Sequence, residues 1–240
     1  MSLFVICGAT ATGKSDVAVA LAHHLNGEII NADSMQLYRG MDIGTAKLTF
    51  QERGGIPHHL LDILDVSEDA SVARYQQAAR DLIVEIESRG KNAIVVGGTG
   101  LYIKAILDDL NFPETDPEVR DALNAQAEII GAVAMHERLG KLDPAAALAI
   151  NAENLRRVIR ALEVIEITGK PFTANLPRKE STRFPLARQF GLVMDREALA
   201  QRISDRVDRM LERGLVAETD ALIAAGIRNG RTAQLALGYA

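Results

Sequence analysis

Short apolar runs alternate with amphipathic stretches over the first 110 residues of the chain. Apolar residues 3–7 predict a buried strand, and the 3.6-residue periodicity of residues 14–25 predicts a helix with one apolar face. Further strands are predicted at residues 28–32, 57–64 and 92–96. Further helices are predicted from the cap Ser71 to Arg89 and, after Gly100, through Lys104 to Asp109. Strands that alternate with helices indicate a parallel, doubly wound sheet with helices on both faces.

The middle of the chain has helical periodicity and no convincing strand. Asp116-Pro117 and Asp143-Pro144 each indicate a capping residue followed by proline in the first helical turn. Residues 153–168 predict a long helix that ends at Gly169. We therefore predict an all-helical insertion at residues 113–181. The α/β core is predicted to consist of residues 1–112 and 182–240.

Helix ends and faces are also marked in the sequence. Gly27 is interpreted as the C-terminal cap of the first helix. After a strand at residues 189–194, Asp195 is expected to cap a helix over residues 196–213. One face of that helix, predicted to be core, consists of Leu199, Ile203, Val207 and Met210. A neighbouring basic stripe consists of Arg202, Arg206, Arg209 and Arg213.

The composition favours a globular protein without membrane spans. Apolar residues make up 48% of the chain and charged residues 25%. No apolar run approaches the ~20 residues of a membrane span, and no charged segment indicates a signal peptide. The single Cys7 cannot form an internal disulfide. We therefore expect a cytoplasmic protein.

Charge is distributed unevenly along the chain. The net charge of −5 argues against a wholly basic nucleic-acid binder. Residues 151–190, however, contain eight Lys/Arg and four Asp/Glu, so this segment carries +4 and the rest of the chain −9. A local basic segment on an acidic protein fits either the docking of a polyanion or a solvated helix face.

Residues 8–15 form a complete phosphate-binding loop of the pattern G-x-x-x-x-G-K-[ST]. Gly8 and Gly13 permit backbone conformations that side chains would hinder, and the loop amides point at an anion at the helix N-terminus. Lys14 is expected to reach phosphate oxygens, and the Ser15 hydroxyl to ligate Mg²⁺. The fold class is therefore predicted as a P-loop NTPase-like α/β core with a helical insertion.

Other polar residues follow the predicted strands. Gly8, Asp33 and Thr99 all lie at carboxyl ends of strands, where ligands bind in open parallel sheets. From the residues alone, Asp33 fits a general base, a helix cap or a Mg²⁺ ligand, and Thr99 fits a substrate contact or a helix cap. The strand at residues 92–96 ends in glycines without the acidic residue expected in a P-loop kinase. A small-molecule kinase nevertheless remains an alternative, because Asp33 could serve that role.

One further segment distinguishes among these possible functions. It is residues 33–47, which read Asp-Ser-Met-Gln-Leu-Tyr-Arg-Gly-Met-Asp-Ile-Gly-Thr-Ala-Lys. In combination with the loop at residues 8–15, it resembles the tRNA dimethylallyltransferase (tRNA isopentenyltransferase) family. Further blocks at residues 57–60, 97–102 and 160–163 follow in the same order. The resemblance implies transfer of a dimethylallyl group from its diphosphate to the exocyclic amine of an adenosine beside the tRNA anticodon.

The resemblance also implies roles for individual residues. Asp33 matches the general base, Lys14 the cation on the diphosphate, and Thr99 a residue that helps to place the target base. The implied diphosphate contacts are Gly8, Thr10, Ala11, Thr12, Gly13, Lys14, Ser15 and either Arg202 or Arg206, with Mg²⁺ as the cofactor. The implied tRNA contacts are Asp33, Ser34, Met35, Gln36, Thr99, Arg156, Arg157 and Arg160.

Expected partners are therefore dimethylallyl diphosphate and the anticodon loop of tRNA, bound by a monomer without membrane contacts. Family members usually continue beyond a Leu-Gly-Tyr such as residues 237–239 into a helical tail with basic and aromatic residues, whereas this chain stops at Ala240. We expect weaker tRNA binding than in a version with that tail. The remaining alternatives are a non-catalytic tRNA-binding module and a transferase that acts on free adenine nucleotide.

Overall fold

The computed structural model of the chain describes residues 2–175 and 182–239. The predicted end of the insertion at Ser181 and the terminal Ala240 lie outside the described residues. The chain divides into two compact units, of which one consists of Met1–Asp108 with Thr182–Ala240 and the other of Asp109–Ser181. No helix in the described part of the chain is long and apolar enough to cross a membrane.

The first unit contains a five-stranded, wholly parallel sheet, as the alternating pattern predicts. Its strands are β1 (Leu3–Gly8), β2 (Gly27–Asn31), β3 (His58–His59), β4 (Asn92–Gly97) and β5 (Arg188–Leu192). Their order in the sheet is β3-β2-β4-β1-β5, with every neighbouring pair parallel. The carboxyl ends of β1, β2 and β4 therefore meet at one edge of the sheet.

Helices cover both faces of this sheet because the strands are apolar on both sides. The first helices are α1 (Lys14–Leu25), α2 (Val72–Ser88) and α3 (Gly100–Leu107). Leu3 and Val5 of β1 belong to the buried cluster that includes residues of α2 and α3. The alternate residues Phe4 and Ile6 belong to the cluster on the opposite face, with residues of α1.

Gly27 is not the cap of the first helix, so that prediction is wrong. The residue after α1 is Asn26, which adopts the left-handed conformation with φ 48°, and its amide donates to the Ala22 carbonyl. Asparagine tolerates this conformation better than most residues and replaces glycine here. Gly27 instead begins β2 and is fully within the sheet.

The second unit is built from helices in its described residues. They are α4 (Pro117–Leu142), which is interrupted at Gly131, α5 (Pro144–Ala149) and α6 (Leu155–Thr168), followed by a short 3-10 helix, Phe172–Asn175. Asp116 and Asp143 cap α4 and α5 as predicted, since their carboxylates accept backbone hydrogen bonds at the helix starts. The α6 helix begins two residues later than predicted, after the cap Asn154.

The last two helices of the first unit are α7 (Arg196–Glu212), capped by Asp195, and α8 (Leu215–Ala224). The prediction that Leu199, Ile203, Val207 and Met210 form a core face is wrong, because no residue of α7 is buried. Ile203 is 37% and Val207 46% exposed. Periodicity shows that a helix is amphipathic, but it does not show what covers the apolar face.

Candidate active site

The side chain of Lys14 contacts the backbone of the loop between β1 and α1. The Lys14 ammonium donates to the Ala9 carbonyl at 2.6 Å, and the Thr12 hydroxyl donates to the same carbonyl at 2.8 Å. Gly13, in the left-handed region, stands at the N-cap position of α1 and makes no side-chain cap. The first amides of α1 therefore remain free of a capping side chain, which leaves them available to an anion.

A cavity of about 300 Å³ lies beside this loop. Its lining includes Lys14 and Ser15 on one side and the basic stripe of α7 on another. The stripe contributes Arg202, Arg206, Arg209 and Arg213. Of the two arginines that the sequence could not separate, Arg206 makes the closer contact, because its guanidinium donates to the Thr10 hydroxyl at 3.2 Å. Arg206 is half-buried, whereas Arg202 is exposed.

Asp33 follows the end of β2 and is held by its neighbours. Its backbone amide donates to the Asn31 side chain at 2.9 Å, and the Asn31 amide group donates back to the Asp33 carbonyl at 2.9 Å. One Asp33 carboxylate oxygen accepts from the Met35 amide at 3.0 Å. This is a local turn contact of the kind that aspartate often makes. It uses one carboxylate oxygen and leaves the other for further contacts.

Thr99 lies at the N-cap position of α3, but its side chain makes no cap hydrogen bond there. The Thr99 hydroxyl instead accepts from the Ser34 amide at 3.1 Å. This contact joins the ends of β2 and β4 and depends on Gly97, where a Cβ would lie 2.2 Å from the Ala32 backbone. The structure thus brings Thr99 and the segment after Asp33 together, although they are far apart in sequence.

Electrostatics tie Asp33 to the phosphate loop. Burial lowers the pKa of Lys14 below the ordinary lysine value, the Asp33 carboxylate acts in the opposite direction, and Arg206 lowers it further. Burial also lowers the pKa of Arg206, and Asp33 again opposes the shift. Two partly desolvated cations therefore lie within electrostatic reach of one carboxylate. A bound polyanion would stabilise the charged forms of both cations.

The arginines predicted to contact tRNA differ in their surroundings. Arg160 is engaged within its unit, where its guanidinium donates to the Pro113 carbonyl at 2.7 Å and to Glu163 at 2.9 Å. Glu163 is fully buried and also pairs with Arg120 at 2.7 Å. Arg156 and Arg157 are exposed, and their guanidinium groups contact no other residue in the described ranges 2–175 and 182–239 through a hydrogen bond or ion pair.

Comparison with known proteins identifies the family. The family model described as IPP transferase matches residues 36–240. A tRNA dimethylallyltransferase of Streptomyces griseus is 58% identical over 99% of this chain and 75% of its own length. The enzyme of that name from Thermobifida fusca is 56% identical over 100% of this chain and 76% of its own. This chain belongs to the tRNA dimethylallyltransferase family.

Solved structures agree with that assignment of family and fold. The full-length tRNA isopentenylpyrophosphate transferase of Bacillus halodurans is 46% identical, with a TM-score of 0.66 over 99% of this chain and 75% of that one. A eukaryotic dimethylallyltransferase acting on tRNA is 35% identical, with a TM-score of 0.81 over 95% of this chain and 57% of that one. The P-loop-like parallel sheet predicted from the sequence is thus the fold of a tRNA prenyltransferase family.

A magnesium site in this family member would rest on few protein ligands. The described residues contain no group of three or more His, Cys, Asp or Glu side chains that could hold a metal ion. Mg²⁺ commonly keeps several waters and binds through one or two protein groups together with substrate phosphates. The Ser15 hydroxyl, half-buried in the cavity wall beside Lys14, fits that pattern.

Sequence reasoning missed two polar residues of the site. Asn31, the last residue of β2, makes hydrogen bonds with both the amide and the carbonyl of Asp33. Its position as a polar residue at the end of a buried strand was the available signal in the sequence. Lys47 also lines the cavity, yet its side chain is only 3% exposed. Its place at the end of the 33–47 block was the available signal, because its partners Tyr38 and Asp42 belong to the same block and Asp62 follows 15 residues later.

Proposed function

We propose that this chain transfers a dimethylallyl group from dimethylallyl diphosphate to the exocyclic amine of the adenosine adjacent to the anticodon in tRNA. The observation that carries the proposal is the combination of a phosphate loop, a second cation and a carboxylate at one sheet edge. Lys14 and Arg206 are the two cations, and Asp33 acts electrostatically on both. Membership of the tRNA dimethylallyltransferase family supplies the reaction class.

The donor half of the proposal is binding of the diphosphate in the cavity beside the loop. Residues Gly8 to Ser15 would cradle the phosphates through backbone amides, with Lys14 on the oxygens. Arg206 is the arginine of α7 that we assign to the diphosphate, because it already contacts the loop at Thr10. These groups stabilise the negative charge that develops on the leaving diphosphate. Mg²⁺, held through Ser15, would supply further charge neutralisation.

The acceptor half of the proposal assigns proton transfer to Asp33. As the amine nitrogen bonds to the allylic carbon, the bond from that carbon to the diphosphate oxygen breaks, and the amine proton passes to the Asp33 carboxylate. We assign Ser34, Met35, Gln36 and the Thr99 hydroxyl, which accepts from the Ser34 amide, to placing the adenine. Reaching the amine requires the base to leave its stack, which costs less in a single-stranded loop.

The insertion would bind tRNA through its exposed arginines. Arg156 and Arg157 offer guanidinium groups without protein partners in the described residues, which suits contacts to phosphates. We assign Arg160 to holding the start of α4 against α6 rather than to a direct phosphate contact. The proposal includes a monomeric enzyme that acts in the cytoplasm.

Transfer can be tested with labelled dimethylallyl diphosphate and unmodified tRNA. We expect label to enter tRNA at the adenosine beside the anticodon, in a reaction that releases diphosphate. Release of phosphate from ATP without labelling of tRNA would favour the kinase alternative. Labelling of free adenine nucleotide but not of tRNA would instead assign a different acceptor, and binding without turnover would leave only a tRNA-binding module.

A further inference from the structure

One wall of the cavity is a single tight loop, residues 42–48. Ile43, Ala46, Lys47 and Leu48 of this loop line the cavity together with Lys14. The loop is closed by its own backbone, since the Lys47 amide donates to the Asp42 carbonyl at 2.9 Å. Ala46 adopts φ 49°, a left-handed conformation that is uncommon for a residue with a Cβ. A conformation of this kind persists only when the surrounding structure holds it in place.

The outer side of the loop is held by α8 and Tyr239. The Glu218 carboxylate accepts from the Ile43 amide at 2.9 Å and from the Gly44 amide at 3.2 Å. The Tyr239 hydroxyl accepts from the Gly44 amide at 2.9 Å and donates to Glu218. The Tyr239 ring packs directly on Gly44, where a Cβ would lie 2.6 Å from ring atoms. One carboxylate and one hydroxyl therefore satisfy the consecutive amides of this wall.

The inner side of the loop is held by Lys47. Its ammonium donates to Asp42 at 2.6 Å, to Asp62 at 2.5 Å and to the Tyr38 carbonyl at 2.9 Å. An ammonium has three N–H donors, and all three are engaged here. Lys47 therefore has no donor left for a phosphate, although it lines the same cavity as Lys14. Its contribution is to the shape of the wall.

We propose that Tyr239 is a positioning residue, which acts with Glu218 to fix loop 42–48 as the wall of the donor cavity. The inference rests on the proposed function for the identity of the donor. Tyr239 touches the loop backbone and not the cavity, since it is absent from the cavity lining in the described residues. Its effect on the donor is indirect and passes through Gly44 and Ile43.

Tyr239→Phe tests this proposal because it removes the hydroxyl and keeps the packed ring. The matched control is Tyr38→Phe, since Tyr38 belongs to the same buried cluster. The Tyr38 hydroxyl contacts the Glu68 carbonyl and the Ala70 amide, each at 3.2 Å, and neither residue lines the cavity. Tyr38 contacts Lys47 through its backbone carbonyl alone, and phenylalanine keeps that carbonyl. Both variants lose one buried hydroxyl, so their losses of stability can be compared by urea unfolding.

We expect Tyr239→Phe to raise the KM for dimethylallyl diphosphate and the Kd for inorganic diphosphate by about three- to tenfold, the range of one hydrogen bond. The kcat should stay within about twofold, because a cavity wall contributes equally to ground and transition states. The KM for tRNA should also stay unchanged. Tyr38→Phe should leave all of these values at those of the parent chain.

Equal KM and Kd values in both variants and the parent would overturn the proposal. Equal rises in both variants would also overturn it, since they would report general destabilisation. Glu218→Gln is a second test variant, and we expect it to raise the Kd for inorganic diphosphate at least as much as Tyr239→Phe does. The calorimetric Kd for inorganic diphosphate does not require turnover. A parent chain that binds diphosphate but transfers no prenyl group would therefore refute the proposed function and still test the positioning role.

Discussion

At the scale of single residues, the candidate site depends on one carboxylate placed beside two partly buried cations. Asp33 is tied to the Asn31 side chain through its own backbone, so its position is set by the end of β2. Lys14 is tied to the loop through the Ala9 carbonyl. The sequence motif predicted Lys14 and Ser15, because a phosphate loop is a local pattern. Lys47 could not be assigned in this way, because no local motif shows that its ammonium is already engaged by Tyr38, Asp42 and Asp62.

Asp33→Asn is expected to reduce kcat by ~10²–10⁴-fold, the usual contribution of a general base. The asparagine oxygen can still accept from the Met35 amide, so the local turn and donor binding should persist. Single-turnover rates with saturating donor and tRNA measure the effect. Asp65→Asn, which alters an exposed carboxylate paired with Arg39, serves as the control. A rate loss below about tenfold would favour a structural role for Asp33.

Lys14→Ala is expected to abolish measurable donor binding while the fold persists, because the Lys14 side chain faces the cavity rather than the core. Calorimetry with dimethylallyl diphosphate measures the binding, and circular dichroism checks the fold. Lys104→Ala, at an exposed lysine of α3, removes the same charge elsewhere. Turnover by Lys14→Ala at the parent rate would contradict the assignment of this lysine to the diphosphate.

The same assignment of Lys14, together with its lowered pKa, implies a pH dependence of donor binding. Lys14 binds phosphate in its charged form, which is populated below the pKa and disappears as pH rises through it. Because burial lowers this pKa, affinity should fall at a pH below the ordinary lysine value of 10.5. Lys14→Arg, which stays protonated, should retain its affinity over that range. Parallel curves for the parent chain and Lys14→Arg would contradict this dependence.

At the scale of elements, the cations of the candidate site come from the helices α1 and α7 rather than from the strands. The spacing of the α7 arginines was readable from the sequence, but the choice between Arg202 and Arg206 required the contact with Thr10. The burial of the apolar face of α7 was predicted wrongly, because periodicity gives no information on packing partners. In α6, the sequence showed three nearby arginines. It did not show that Arg160 pairs with the buried Glu163, a contact that also involves Arg120.

Arg206→Ala should weaken binding of dimethylallyl diphosphate by ~10- to 100-fold, the range for hydrogen bonds to charged groups. Arg202→Ala is the matched control on the same helix, and we expect a loss of less than about threefold, since an exposed ion pair contributes little. Calorimetric Kd values at one ionic strength compare the two. A larger loss for Arg202→Ala than for Arg206→Ala would reverse the assignment.

Arg156→Ala combined with Arg157→Ala should weaken tRNA binding for every tRNA sequence. The log–log salt slope should flatten by roughly 0.7–0.9 for each tRNA phosphate that the variant no longer neutralises. Filter binding over a range of salt concentrations measures the slope, and donor affinity should not change. A double variant at Lys141 and Lys170 removes the same charge from this unit. Equal slopes in the two double variants would show that the two arginines act only through net charge.

At the scale of the whole molecule, a P-loop-like parallel sheet serves a tRNA dimethylallyltransferase family, and we propose that its phosphate loop holds an allylic diphosphate here. The order of strands and helices followed from local periodicity, so the parallel sheet could be predicted from the sequence. The contacts that complete the site could not, because they join residues far apart in the chain. The Ser34–Thr99 hydrogen bond and the Gly44–Tyr239 contact are two such cases.

Prenyl transfer is expected to need a metal ion although it consumes no nucleoside triphosphate. Transfer should require Mg²⁺ and proceed with no added nucleoside triphosphate, because the diphosphate itself is the leaving group. Removal of metal with EDTA should stop the reaction, and added Mg²⁺ should restore it. Ser15→Ala should raise the Mg²⁺ concentration needed for half-maximal rate, since Ser15 is the hydroxyl that we assign to the metal.

Ser88→Ala, at an exposed serine whose hydroxyl donates to the Glu85 carbonyl, is the control and should leave the Mg²⁺ dependence unchanged. Thin-layer analysis of labelled ATP, added to a complete reaction, checks whether any triphosphate is consumed. Stoichiometric consumption of ATP would favour the kinase alternative, because loop amides and a lysine of this kind hold β- and γ-phosphates in P-loop NTPases. Transfer that continues in EDTA would instead mean that Lys14 and Arg206 alone neutralise the leaving diphosphate.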